Sequence, residues 1–170
     1  MVKIEVLLRK GIVGRIGETE LERYISFFRE SCEDNARHAE ANMASYPRWS
    51  IISGYYAMHD ISKLAIAKIF RLKIQKNVHE TTIEVISELL KDSEMIRMLQ
   101  DGFEAFQSLA QELSGAKKER VKVQYYTGTP FMKERYQDAA KSFLQDTVLP
   151  FLDKMKKLMS ETSKGEGGEE

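Results

Sequence analysis

Residues 47–72 read Pro-Arg-Trp-Ser-Ile-Ile-Ser-Gly-Tyr-Tyr-Ala-Met-His-Asp-Ile-Ser-Lys-Leu-Ala-Ile-Ala-Lys-Ile-Phe-Arg-Leu. Pro47 suits the first turn of a helix, where its missing N–H costs nothing, and Ser45 is a candidate N-cap. At about 100° per residue, Ser53, Asp60 and Arg71 fall on one line, with Ser50 and Lys68 to one side and Lys63 to the other. Nearly everything else in the stretch is apolar or aromatic. A helix apolar over most of its circumference is a central one, covered by neighbours on several sides.

The neighbours read as helices too. Thr19 and Glu22 form a capping-box pattern, followed by Leu21, Ile25, Phe28, Cys32, Ala36, Ala39 and Met43 at helical spacing. This helix should run to about Ala44, and the short gap to Pro47 implies an antiparallel pair. After a basic loop from Lys73 to Val78, His79 to Leu90 reads as a shorter helix. Ser93 can cap the next, whose stripe is Ile96, Leu99, Phe103, Phe106, Ala110 and Leu113. Residues 131–159 form the last helix, which Pro150 should kink or split. At the N-terminus Val2, Ile4, Val6 and Leu8 alternate with Lys3, Glu5, Leu7 and Arg9, a period of two. That predicts a strand over residues 2–9, with 121–126 as its partner.

The fold expected is therefore an all-α antiparallel up-and-down bundle of about five helices, with a short two-stranded ribbon. Residues 1–18 form an N-terminal arm or strand, 19–160 the bundle, and 161–170 a Gly/Glu-rich disordered tail.

Composition narrows the function. The chain has 170 residues, 42% of them hydrophobic, enough for one domain with a core. Basic and acidic residues both number 26, so global charge gives no support for tight nucleic-acid binding. Cys32 is the sole cysteine, so there is no intrachain disulfide or thiolate metal cluster, which fits a reducing cytoplasm. No apolar run approaches the ~18 residues of a membrane span, and the N-terminus lacks a signal peptide's apolar core. Neither a Glu-x-x-His pair nor a Gly-rich phosphate loop occurs, so no metal or cofactor is expected.

The run Gly54-Tyr55-Tyr56-Ala57-Met58-His59, its continuation through Ala65 and Ala67, and the loop ending at His79 resemble the core of the HEPN family. A second piece, Arg120-Val-Lys-Val-Gln-Tyr125 and then Ala139, Ala140 and Phe143, resembles that family's later segment and closing helix. The resemblance covers roughly residues 20–158. It implies a helical domain that binds nucleotide or RNA and forms homodimers. It also implies association with a nucleotidyltransferase partner in defence or toxin–antitoxin systems.

The family's nuclease activity uses an arginine and a histidine separated by four to six residues. The histidine moves a proton and the arginine holds the phosphate. No such pair exists here, and no histidine follows His79. No catalytic residue is therefore assigned. The ligand-binding candidates are Arg120 and Tyr125, which can hold a phosphate and stack a base, and Lys73, Lys76 and His79, which can meet a phosphate at a helix start. Each also has a packing or solvated reading. Tyr56 and His59 are candidates for a dimer interface, His59 otherwise being a hydrogen-bonded core residue. Two alternatives stay open, a ligand-free dimerisation subunit and an RNase with a different residue set.

Overall fold

The computed structural model describes residues 4–118 and 130–165. In chain order the elements are α1 (Ile4–Arg9), β1 (Val13–Arg15), α2 (Glu18–Asn42), α3 (Pro47–Phe70), β2 (Leu72–Ile74), α4 (Val78–Leu90), α5 (Ser93–Lys118), α6 (Pro130–Ser142), a π-helical segment (Phe143–Val148) and α7 (Leu149–Gly165). This is an all-α bundle with a short two-stranded antiparallel ribbon.

The ribbon is built from other residues than the alternation predicts. Residues 4–9 are helical, and the strands are β1 and β2, in register Val13↔Ile74, Gly14↔Lys73 and Arg15↔Leu72. Residues 121–126 lie outside the described residues. The reason is in the pattern itself. Ile4, Leu7 and Leu8 have helical spacing as well, and Leu7 is buried. Gly11 then ends α1 with a positive φ of 61°. The N–H of Gly11 bonds Leu8 O, and that of Ile12 bonds Leu7 O. Such a pair of bonds closes a helix when glycine can take the left-handed conformation.

The central helix is central in fact. From Ser50 to Ala67 α3 is buried except for Ile52, Tyr56 and Lys63. Pro47 opens it as expected, but Tyr46 rather than Ser45 is the N-cap. The helix stops at Phe70 because Arg71 turns left-handed. At α2, Gly17 is the N-cap, with no side-chain cap bond, so Thr19 and Glu22 form no capping box. Asp92, not Ser93, caps α5, its carboxylate accepting the N–H groups of Glu94 and Met95.

One core runs along α3. It joins Leu21, Ile25 and Cys32 of α2, Met58, Ile61 and Leu64 of α3, Val85 and Ile86 of α4, Leu99 of α5, and Phe151 and Met155 of α7. A smaller cluster holds Ile51, Leu109 and Ala140. Cys32 is part of the main core, and burial with the Asp60 charge pushes its thiol up to about 12. A thiol so held stays protonated, which suits packing rather than reaction.

Pro150 lies in the first turn of α7, directly after the π-helical segment that separates α7 from α6. The turn before it widens, and Leu149 N–H bonds Leu144 O, five residues back. Proline has no N–H to give and its ring crowds the preceding turn. The wider spacing gives the ring room. The helix continues to Gly165, so residues 161–165 of the expected disordered tail are helical.

Candidate groove and polar seam

The polar line on α3 faces α2. Ser50 Oγ donates to Ala39 O at 2.6 Å. Ser53 Oγ meets His38 Nδ1 at 2.7 Å. Asp60 accepts from Ser31 Oγ at 2.6 Å and from Asn35 Nδ2 at 3.0 Å. These partners run in opposite directions along the two helices, which fixes the pair as antiparallel. Asp60 is 6% exposed, and a carboxylate so placed needs such donors. Charge-assisted bonds of this type contribute about 1.5–3 kcal/mol each. Lys63, one turn on, lies over the Phe28 ring at 4.8 Å. Its pKa is lowered by burial, against the pull of Asp60.

Above this seam the two helices leave an open groove of about 590 Å³. Trp49, Tyr46, Tyr56 and Ile52 give it rings and an apolar wall, and Asn35, His38, Asn42 and Ser53 give it polar groups. Trp49 is 58% exposed and Tyr46 62%. Among the described residues no lysine or arginine lines it.

Tyr56 joins the groove to a second layer inside the bundle. Its ring meets those of His59, His79 and Phe106 edge-on. There Tyr55 OH lies 2.6 Å from His79 Nδ1, and the two imidazoles are 4.8 Å apart between centroids. Burial raises the Tyr55 pKa strongly, so its hydroxyl keeps its proton. Thr82 Oγ1 gives its one hydrogen to Val78 O at 2.6 Å. It must then accept from His59 Nε2, 3.2 Å away. His59 Nδ1 is buried with no hydrogen-bond partner among the described residues, 3.8 Å from Asp60 Oδ1.

Burial, then the neighbouring His59, lowers the His79 pKa, with Lys63 adding to the effect and Glu80 opposing it. Unfolded histidine titrates near about 6.5. Below that pH the unfolded chain binds the proton more readily than the folded one, so stability falls as pH drops through this range towards the lowered folded value. Above it the group contributes no pH dependence. Melting temperatures at successive pH values from mildly basic to mildly acid should show the fall. His79→Gln should flatten it, and an unchanged slope in that variant would assign the effect elsewhere.

The residues singled out from sequence are not gathered at one place. Arg120 and Tyr125 lie outside the described residues. Lys73, on β2, is paired with Glu20 at 2.6 Å. Lys76 is exposed in the turn before α4. Among the described residues no hydrogen bond or ion pair joins either lysine to His79. His59 and His79 do meet, with Tyr55 and Tyr56. His59 is 3% exposed and enclosed by the chain itself, so only Tyr56 of the two interface candidates reaches the groove. The groove's other residues were not singled out as a site. Their spacing holds the signal, since Asn35, His38 and Asn42, and Trp49, Ser53 and Tyr56, recur at three- or four-residue steps.

Among the described residues no three His, Cys, Asp or Glu side chains are placed to hold a metal, and no helix is long and apolar enough to cross a membrane. No protein-family model matches the chain, and neither a curated protein nor a solved structure matches it.

Proposed function

We infer that the chain is a HEPN-like accessory module that binds nucleotide or RNA, acts in the cytoplasm, and lacks the family's nuclease chemistry. The observation that carries the reading is the α2–α3 groove. Its exposed rings and amides suit ligand binding. Of the three histidines, His59 and His79 are committed to contacts inside the bundle. The nuclease pairing of arginine and histidine is absent from the sequence. A nucleotidyltransferase protein is the partner that the family resemblance implies. Two-fold pairing of the module belongs to the same reading, with more than ~1,000 Å² buried in total. Exposed Phe27 stands at the opposite end of the α2–α3 hairpin from Tyr46 and Trp49. A copy seated there would leave the groove open.

The test is to titrate a mixed pool of single-stranded RNA with the purified protein in EDTA. Retarded but uncut RNA is expected. Cleavage that disappears in His59→Ala or His79→Ala would favour the reading as an RNase with an unfamiliar residue set. Exposed Phe27, Tyr46 and Trp49 favour one other reading, a ligand-free dimerisation subunit. It predicts a dimer mass by light scattering and no RNA bound even at low salt.

A further inference from the structure

Ser53 and His38 meet in the groove. Ser53 Oγ lies 2.7 Å from His38 Nδ1, and both residues line the groove. A serine inside a helix readily gives its hydrogen to the carbonyl one turn back. Ser62 and Ser87 do so, bonding Met58 O and Ile83 O. Ser53 turns instead to an imidazole on the neighbouring helix, and among the described residues its hydroxyl has no other partner. Of the three histidines, His38 is the one whose ring is exposed.

A hydroxyl against an imidazole is the pairing that makes a serine nucleophilic, the ring taking the proton as the oxygen attacks. The roles in the bond follow from the tautomer of His38. With the ring hydrogen on Nε2, Nδ1 accepts from Ser53. Because His38 is exposed, its ring exchanges protons with water and has that form within reach. The helix pair holds the two residues in register. Ser50 Oγ bonds Ala39 O at 2.6 Å, beside His38 in the chain and one turn from Ser53. Asn42 gives one N–H to His38 O at 2.9 Å and keeps a second among the described residues. That second N–H belongs to the same groove lining, where it can meet negative charge developing on a carbonyl oxygen. The rings of Trp49, Tyr46 and Tyr56 offer an apolar seat for the rest of a substrate.

We propose that Ser53 and His38 form a nucleophile–base pair that hydrolyses carboxylic esters bearing an aromatic group. Ser53 Oγ bonds to the ester carbonyl carbon, and its proton passes to His38 Nδ1. The tetrahedral intermediate collapses, the carbon–oxygen bond to the alcohol breaks, and His38 returns the proton to the departing oxygen. Water then attacks the acyl-serine with the same ring as base, and the carboxylic acid leaves. Among the described residues no carboxylate bonds the other ring nitrogen. The pair is therefore a dyad, and its turnover is slow beside that of a full triad. This activity goes beyond binding by the module and does not depend on it.

The experiment treats the full chain with a fluorophosphonate, which phosphonylates activated serines, and locates the adduct by peptide mass spectrometry. An adduct on Ser53 is expected. His38→Gln should slow its formation by about a hundredfold or more, the range that a positioned general base supplies. With para-nitrophenyl acetate the parent should release a burst of about one nitrophenolate per chain before a slower steady rate. Ser53→Ala should abolish the burst, and its residual rate is the background from other nucleophiles. His38→Ala should lose the burst and regain part of it when imidazole is added, a rescue that a merely structural contact would not show. That rescue also separates lost chemistry from lost folding. Trp49→Ala should raise KM by about two- to tenfold, the range of one aromatic pair, and an unchanged KM would overturn the aromatic seat. A Ser53 that takes no label overturns the proposal, as does one labelled at the same rate in His38→Gln. Either result leaves the Ser53–His38 bond as a contact that pins α2 to α3, and leaves the binding reading intact.

Discussion

Replacing Tyr55 with alanine is expected to lower the unfolding free energy by about 3–5 kcal/mol, the usual cost of deleting a large buried aromatic side chain. Tyr55 is 1% exposed. Its ring stacks on Phe106 at 4.9 Å and also touches Tyr56, His59, His79 and Phe103. Removing it opens a cavity where α3, α4 and α5 meet. Tyr55→Phe keeps the ring and removes only the hydroxyl that bonds His79. The cost should then be about 0.5–1.5 kcal/mol, that of one hydrogen bond. Urea unfolding of the three proteins would measure both steps. A Tyr55→Ala variant as stable as the parent would mean that the aromatic cluster does not hold these helices together.

The second large effect belongs to Gly54. A Cβ built there lies 3.0 Å from Val148 Cγ2 and 3.3 Å from Phe143 Cε1. Both neighbours belong to the π-helical segment, and Val148 is completely buried. Glycine at this point lets that segment approach the central helix. Gly54→Leu must displace it, and overpacking of this kind costs about 1–3 kcal/mol. Gly54→Ala should cost less, since alanine gains up to about 1 kcal/mol of helix propensity over glycine. Combining Gly54→Leu with Val148→Ala should recover part of the loss, a coupling expected of residues in contact. Additive losses in the double variant, again from urea unfolding, would refute direct contact.

Much of the fold was legible because the residues of α2 and α3 repeat at helical spacing over more than twenty positions each. The breadth of the apolar surface on α3 marked it as central, and its burial bears that out. What misled was short range. The stretch 4–9 fits two periods, and six residues cannot decide between them. Each helix cap lies a residue or more from the one expected, since a cap depends on backbone geometry that the residue type only favours. The polar line Ser53–Asp60 was visible, yet nothing local says that α2 answers it with His38, Ser31 and Asn35. The groove was missed for a related reason. Its residues come from two helices, and their meeting is a tertiary fact.

The π-helical segment has a consequence for how one helix serves two clients. An α-helix advances each residue by about 100°, so a continuous helix keeps one phase from end to end. Residues 143–148 take more chain per turn and so reset that phase. Before the reset, Ala140 looks to the small cluster with Ile51 and Leu109. After it, Phe151, Met155 and Met159 look to the main core. A helix without the reset would turn its later apolar face off target. The segment is thus a register adjuster. It is the place in the last helix where a single inserted or deleted residue changes which face the remainder shows, while leaving the earlier half as it was.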